Sequence, residues 1–241
     1  MAVAVLFFLA ACAAAAIIGT PPRSLRGDAA AQTFLSTWRQ SRLATFVVDS
    51  DFTRTLPDDN KLQQRLRTVQ RPPSDRLIIG LGAIAGRLDG KILRCASTPE
   101  GTSRCFTSEA APDYTSEVDG EVAGLEQYVR GDRPLYRVID FANSADHCFR
   151  LDLALALPSP PYGEHAVFCF DRANFAPTLT VIERQEATDR TQATAVRTTV
   201  TAEDLQVLPD PGAMVGVPGP TTSSSTTTSS TTTSSTVPAA N

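Results

Sequence analysis

The stretch from His147 to Phe170, HCFRLDLALALPSPPYGEHAVFCF, constrains the fold more than any other part of the chain. Apolar and polar residues alternate on both sides of a proline-rich apex, and successive side chains of an extended strand point to opposite faces. Phe149, Leu151, Leu153, Leu155 and Leu157 therefore share one face, and Cys148, Arg150, Asp152, Ala154 and Ala156 share the other. On the return, Ala166, Phe168 and Phe170 oppose Val167, Cys169 and Asp171. If Cys148 and Cys169 share a face, Phe168 and Phe170 join the leucine row and a bridge between the cysteines lies on the polar side. The apolar face must then meet either a core or a ligand. Phe149, Leu151, Leu153, Leu155, Phe168 and Phe170 are the candidate ligand-facing residues.

Cysteine usage points to an oxidising compartment. Besides Cys12 the chain has Cys95, Cys105, Cys148 and Cys169, and an even set of this kind in an exported domain suggests disulfides. Three pairings are formally possible. Local structure favours Cys95–Cys105 and Cys148–Cys169, because ILRCASTPEGTSRCF repeats the strand, turn, strand plan with a shorter apex. In the chain-entropy picture the second bridge contributes roughly 3 kcal/mol. A zinc site of His147, Cys148, His165 and Cys169 is disfavoured, since His147 and Cys148 are adjacent on a strand and point apart. No metal and no cofactor is expected.

Charge is confined to the middle of the chain. Every Lys, Arg, Asp and Glu lies between Arg23 and Asp210, which leaves enough chain of ordinary composition for one domain with a core. Acids outnumber bases, with a net charge of −4, and no basic cluster is interleaved with aromatics, so nucleic acid is not an expected partner. Met1 to Ile18 is an unbroken apolar run, long for a signal-peptide core and short for a comfortable membrane span. Residues 1–22 are expected to be a signal peptide or N-terminal membrane anchor, and either sends the following domain out of the cytoplasm, to the cell surface or beyond. LAAC, ending at Cys12, resembles a bacterial lipobox, which makes Cys12 a candidate lipidation site. The AAAAII that follows favours a small apolar residue of the leader instead. At the other end, the Ser/Thr tract within 211–241 has too little apolar surface to offset its ordering entropy and is expected to be a disordered tail or stalk. The single domain is expected over 23–210.

Within it, a helix is expected over about 29–42, with Asp28 as N-cap and Ala31, Phe34, Leu35 and Trp38 as its apolar stripe. LATFVVDSDFTRTL and KLQQRLRTVQR read as strands joined around Pro57 to Asn60. DRLIIGLGAIAGRLDGKILRCAS reads as one hairpin turning at Asp89-Gly90. A second helix is expected over about 116–130, ended by Gly131 and Pro134. Further strands follow in LYRVIDFA, the hairpin above, TLTVIERQEAT and ATAVRTTVTAEDL. The plan is α+β, a mostly antiparallel sheet with two helices.

Catalytic signatures are weak. GLGAIAG has GxGxxxG spacing and no following helix to bind a phosphate, and reads as a small-residue strand where the sheet bends. Walker A and G-x-S-x-G patterns are absent from the sequence, and no two acids stand out as an acid–base couple. Two Arg-Gly-Asp tripeptides, at 26–28 and 130–132, are explained by chance and by a helix end. An enzyme is not expected.

The order of elements, with FLSTWRQSRLATFVV in the first helix and strand, LEQYVRGDRPLYRV leaving the second helix, and FCFDRANFAPTLTVIER near the end, resembles the LolA/LprG-like lipoprotein-carrier superfamily over about 29–208. That resemblance implies a strongly curved half-barrel with two helices packed on its concave side and a cavity for acyl chains. It implies an extracytoplasmic module binding a lipid or other apolar ligand, through the face from Phe149 to Phe170. The paired cysteines and the Ser/Thr tail depart from simple carriers and suit a tethered binder or sensor. The alternative is a cell-surface structural or interaction domain with a filled core and no ligand. The emptiness of the sheet's helix-bearing face separates the two.

Overall fold

The computed structural model describes residues 26–80, 82–97, 103–108, 110–142 and 145–206. The leader with Cys12 and the tail lie outside the described residues.

Eleven strands form one antiparallel, unclosed sheet, and two helices lie on one of its faces, an α+β arrangement consistent with a curved half-barrel. The chain enters through helix α1 (Asp28–Leu43) and strand β1 (Phe46–Thr55), then meanders through β2 (Lys61–Arg71), β3 (Asp75–Gly80), β4 (Ala83–Leu88), β5 (Lys91–Ser97) and β6 (Ser103–Thr107). Helix α2 (Tyr114–Val129) carries it across to β7 (Tyr136–Ala142). A second meander returns through β8 (Asp146–Leu153), β9 (His165–Asp171), β10 (Pro177–Glu183) and β11 (Thr188–Arg197). β11 pairs with β1 and joins the two meanders, so the spatial order is β6-β5-β4-β3-β2-β1-β11-β10-β9-β8-β7.

Helix α1 begins one residue earlier than its composition suggests. Gly27 is the N-cap, and Asp28 is the first helical residue, where its charge suits the helix N-terminus. Asp28 also accepts from Arg130 Nε at 2.9 Å, so the two Arg-Gly-Asp tripeptides meet and tie the start of α1 to the end of α2. At the other end of α1, buried Gln70 of β2 donates from Nε2 to the carbonyls of Ser41 (2.6 Å) and Ala44 (2.8 Å). Ser41 O also accepts from the C-cap Ala44 N–H at 3.3 Å, so Gln70 adds a second donor at the helix end and one to the cap residue's own carbonyl. Asp113 caps α2 by accepting from the Ser116 backbone N–H at 2.8 Å, which starts that helix at Tyr114 rather than Ser116.

Sequence expectations also change among the strands, where the last one runs Thr188–Arg197 and not through to Leu205. The stretch 75–97 is three strands, not one hairpin. Besides the turn at Asp89-Gly90 the chain reverses between Gly80 and Ala83, so GLGAIAG is the end of β3, a reversal and the start of β4. A further change is at β8, which stops at Leu153. The Leu153 N–H still reaches Glu164 O, but Ala154 N–H turns to Leu135 O, and Pro158, Pro160 and Pro161 lack the N–H that a ladder needs.

The core switches faces across the β1–β11 seam. On the helix side of β7–β9, Phe149, Leu151, Ala166, Phe168, Phe170, Tyr136 and Val138 pack under Phe34 and Leu35 of α1 and Leu125 and Val129 of α2. On β1–β5 the buried cluster is Val47, Val69, Leu77, Ile84, Leu93 and Cys95. The strand registers put those residues on the opposite, back face. Val200 and Leu205 of the segment after β11 pack onto that cluster. The segment is pinned by Asp204, which accepts from both guanidinium nitrogens of Arg197 and from the Thr201 N–H at 2.8 Å.

Candidate functional site

The residues expected to face a ligand are distributed as follows. Phe149 and Leu151 are completely buried, Phe168 and Phe170 nearly so, and Leu153 packs at the margin of the same cluster. Aromatic rings fill the space above them. Phe34 lies 5.3 Å from Phe149, Trp38 lies 5.4 Å from Phe168, and Tyr162 lies 5.6 Å from Phe168, each edge-on. Burial pushes the Tyr162 hydroxyl up to about 12. Leu155 lies past the end of β8 and is 44% exposed.

The two cysteine pairs sit directly opposite one another in their ladders, Cys95 facing Cys105 and Cys148 facing Cys169, and each pair is disulfide-bonded. Both bridges lie on the back face. His147 pairs with Asp140 at 3.1 Å and His165 with Asp152 at 2.9 Å, each across neighbouring strands. A back-face cavity of about 360 Å³ lies over β8–β10, lined by Arg150, Asp152, His165, Val167, Val181 and Glu183 with Ala166.

The helix-side face of β1–β6 is different. The registers align Arg87, Arg76, Gln70 and Phe46 in one row under the helices, and Ala85, Ile78, Thr68 and Val48 in the next. Beyond these come Ala83, Gly80, Leu66 and Ser50, and then Phe52 and Leu62 on strands β1 and β2. Ile78 is 40% exposed, Leu62 39% and Phe106, on the same face of β6, 72%. Ala83 and Ala85 are exposed as well. Ile78 and Ala85, with Leu66 and Ala83 in the following row, form a small apolar patch; Arg94 separates it from Phe106, and Gln64 separates it from Leu62.

The charged row bordering the patch is a cluster of three guanidinium groups. Arg42 donates to Glu121 Oε2 (2.7 Å) and, at 3.4 Å, to Glu117. Arg87 donates to Glu117 Oε2 (2.6 Å) and to the Pro112 carbonyl (2.8 Å). Both guanidinium groups lie over the ring of Tyr114, whose hydroxyl donates to Arg42 O at 2.6 Å. Arg76 stands beside them, directly across from Arg87. Its Nε is buried with no hydrogen-bond partner, as are Arg42 Nη1 and Arg87 Nε. Burial, followed by the neighbouring charge of Arg42, pushes the Arg76 guanidinium below the usual arginine range. Gly86 sets this spacing. A β-carbon there would fall 1.9 Å from Arg76 O, and φ is +148°, so only glycine lets β3 and β4 meet.

Reading 75–97 as a single hairpin hides this patch. With three strands, Ile78, Ala85 and Phe106 fall on one face with Arg76 and Arg87. The signal that would have shown it is the Gly-x-Gly at 80–82 taken as a reversal.

No protein-family model matches the chain, and no curated protein matches it. Solved structures do. MucB in complex with MucA(peri) has 12% identity and a TM-score of 0.42, with 73% of this chain and 59% of that one covered. The LolA superfamily protein NE2245 from Nitrosomonas europaea has 10% identity and a TM-score of 0.31, covering 73% and 96%. A putative outer membrane lipoprotein-sorting protein domain from Vibrio parahaemolyticus has 9% and 0.31, covering 73% and 97%. The chain thus spans 59% of the length of the MucB chain. At such identities no residue role transfers, and every assignment above comes from this chain's own geometry.

Proposed function

We propose that this protein is an extracytoplasmic binding module for a lipid or other apolar ligand, and that the ligand lies on the open helix-side face of β1–β6. One observation carries the reading. Ile78, Leu62 and Phe106 remain well exposed on a face whose other half is packed tight under two helices. Several large apolar side chains exposed on one uncovered sheet face mark a candidate binding surface. The disulfides and the apolar leader support placement outside the cytoplasm. Among the described residues no helix is long and apolar enough to cross a membrane. The carboxylates Asp189 and Asp204 are each clamped by arginine and serve the fold.

Nile red fluorescence with the purified full chain tests this. The dye brightens on binding, and 1-decanol displaces it. Ile78→Asp weakens uptake about tenfold, the loss expected when one aliphatic contact is replaced by a charge. Wild-type protein that neither brightens the dye nor yields it to 1-decanol would sink the reading and leave that face as a protein-interaction surface.

A further inference from the structure

We propose that the ligand of the open face is an anionic amphiphile, with its acidic head group at Arg76 and its apolar chain running along Ile78, Ala85, Leu66 and Phe52. This rests on the binding role above and adds the chemistry of the head group.

Three observations converge on it. The first is charge. Arg42, Arg76 and Arg87 share two carboxylates, Glu117 and Glu121, and both are already engaged by Arg42 and Arg87. Glu121 also accepts from Trp38 Nε1 at 3.0 Å. Among the described residues Arg76 has no ion pair, and its Nε is buried without a partner. The second is placement. Arg76 and Arg87 face each other directly across β3 and β4, like charges of which Glu117 pairs with Arg87 alone, so the Arg76 side of the pair is not neutralised by an ion pair. Arg76 is half-buried and feels Glu121 and Glu117 at a distance, but neither carboxylate pairs with it, and a guanidinium with an unpartnered buried Nε has donors to spare for an anion arriving from outside. A planar guanidinium fork suits a carboxylate or a phosphate.

The third is adjacency. Ile78 follows Arg76 on the same face of β3, one strand repeat further from the helices, about 6.6 Å away. Thr68 and Ala85 flank Ile78 on the neighbouring strands, and Leu66 and Ala83 flank Gly80 beyond it. The Leu66 side chain leans over Gly80, where a β-carbon would lie 2.3 Å from its Cδ2. Along β3 and β4 polarity thus changes from cationic to apolar within one repeat, with Thr68 and Arg94 bounding the apolar stretch on either side, which suits a ligand with an acidic head and a hydrocarbon tail.

Competition against Nile red with the full chain tests the assignment, using decanoate, decyl phosphate, 1-decanol and inorganic phosphate as competitors. Decanoate and decyl phosphate should each displace the dye about tenfold more tightly than 1-decanol, the effect of one charge-assisted hydrogen bond. Arg76→Gln should abolish that advantage, leave 1-decanol competition unchanged and raise the unfolding temperature of the unliganded chain. Arg76→Lys, which keeps the charge, should retain part of the advantage. Equal displacement by decanoate and 1-decanol in the wild type, or an advantage that survives Arg76→Gln, overturns the head-group assignment while 1-decanol displacement still upholds the binding role. Inorganic phosphate that displaces decanoate at equal concentration also overturns it, by assigning the arginines to a free anion. Displacement by no competitor removes the binding role itself.

Discussion

The two meanders of the sheet are near mirror images in topology and opposites in what they bury. On β7–β9 the helix side is the core and the back face carries the Arg150, Asp152 and His165 pairs. On β1–β5 the back face is the core, sealed in part by Val200 and Leu205, and the helix side is partly bare. The same alternating pattern therefore has two meanings. Where α1 and α2 lie over the alternation it produces a packed interior, and where they do not it produces an exposed patch. The apolar row Phe149 to Leu153, expected from the sequence to meet either a core or a ligand, is the row that the helices cover.

Substitutions sharpen this contrast, beginning with the largest effect. Phe34→Ala removes the ring that packs on Phe149 and Phe168 and should cost about 4 kcal/mol in urea denaturation. Phe106→Ala, on the exposed side, should cost no more than about 0.5 kcal/mol while reducing Nile red uptake. Comparable losses from the two would break the contrast outright. Replacing Cys148 and Cys169 together by alanine should lower stability by about 3 kcal/mol, because that bridge closes the longer loop. The Cys95 and Cys105 pair, closing 10 residues on the edge hairpin, should cost less, and a reversed order would show that the β1–β6 half depends on its bridge more than its packing suggests.

Acid should loosen the segment after β11 that covers the β1–β5 back face. Hydrogen bonding from Arg197, reinforced by the Thr201 N–H, holds the Asp204 carboxyl down from 3.8 to about 2. A carboxylate with a lowered folded-state value contributes stability that is full above its unfolded value and is lost as pH falls through the folded one. The contribution of Asp204 should therefore begin to fall near pH 3.8 and be gone near pH 2. Asp204→Asn should cost about 2 kcal/mol at neutral pH and flatten that part of the stability profile. Hydrogen exchange at 198–206 that is insensitive to the substitution would show that Val200 and Leu205 hold the segment unaided. The smallest effect is expected at Ile78→Ser, within about 0.5 kcal/mol of wild type in stability.

Local rules recovered much of this architecture. The first helix was legible from the spacing of Phe34, Leu35 and Trp38, the second from its end at Gly131 and Pro134, and the strands from alternation. What local rules missed depends on contacts distant in sequence. Asp28 looks like an N-cap until Arg130, from the far end of the other helix, engages it. Gln70 looks like a surface residue of a polar strand, yet it is buried because it caps α1. The open patch was hidden by one unrecognised reversal at Gly80 to Ala83, which moves Ile78 and Ala85 into register as neighbours. The Arg76 cluster has no sequence motif at all. Its members come from α1, β3 and β4, and their acids from α2.

The seam between β1 and β11 also governs the order in which this molecule can come into being. Its partners are far apart along the chain, with Asp49 and Thr194 separated by 145 residues yet hydrogen-bonded at 3.1 Å. Each meander, by contrast, is built from neighbours in sequence and can assemble from local pairings as soon as its own residues are available. A chain delivered N-terminus first can complete β1–β6 early, but β1 waits as an exposed sheet edge until Arg197 has emerged. During that interval the open side of β1, already paired to β2 on its other side, stays available for mispairing with another strand.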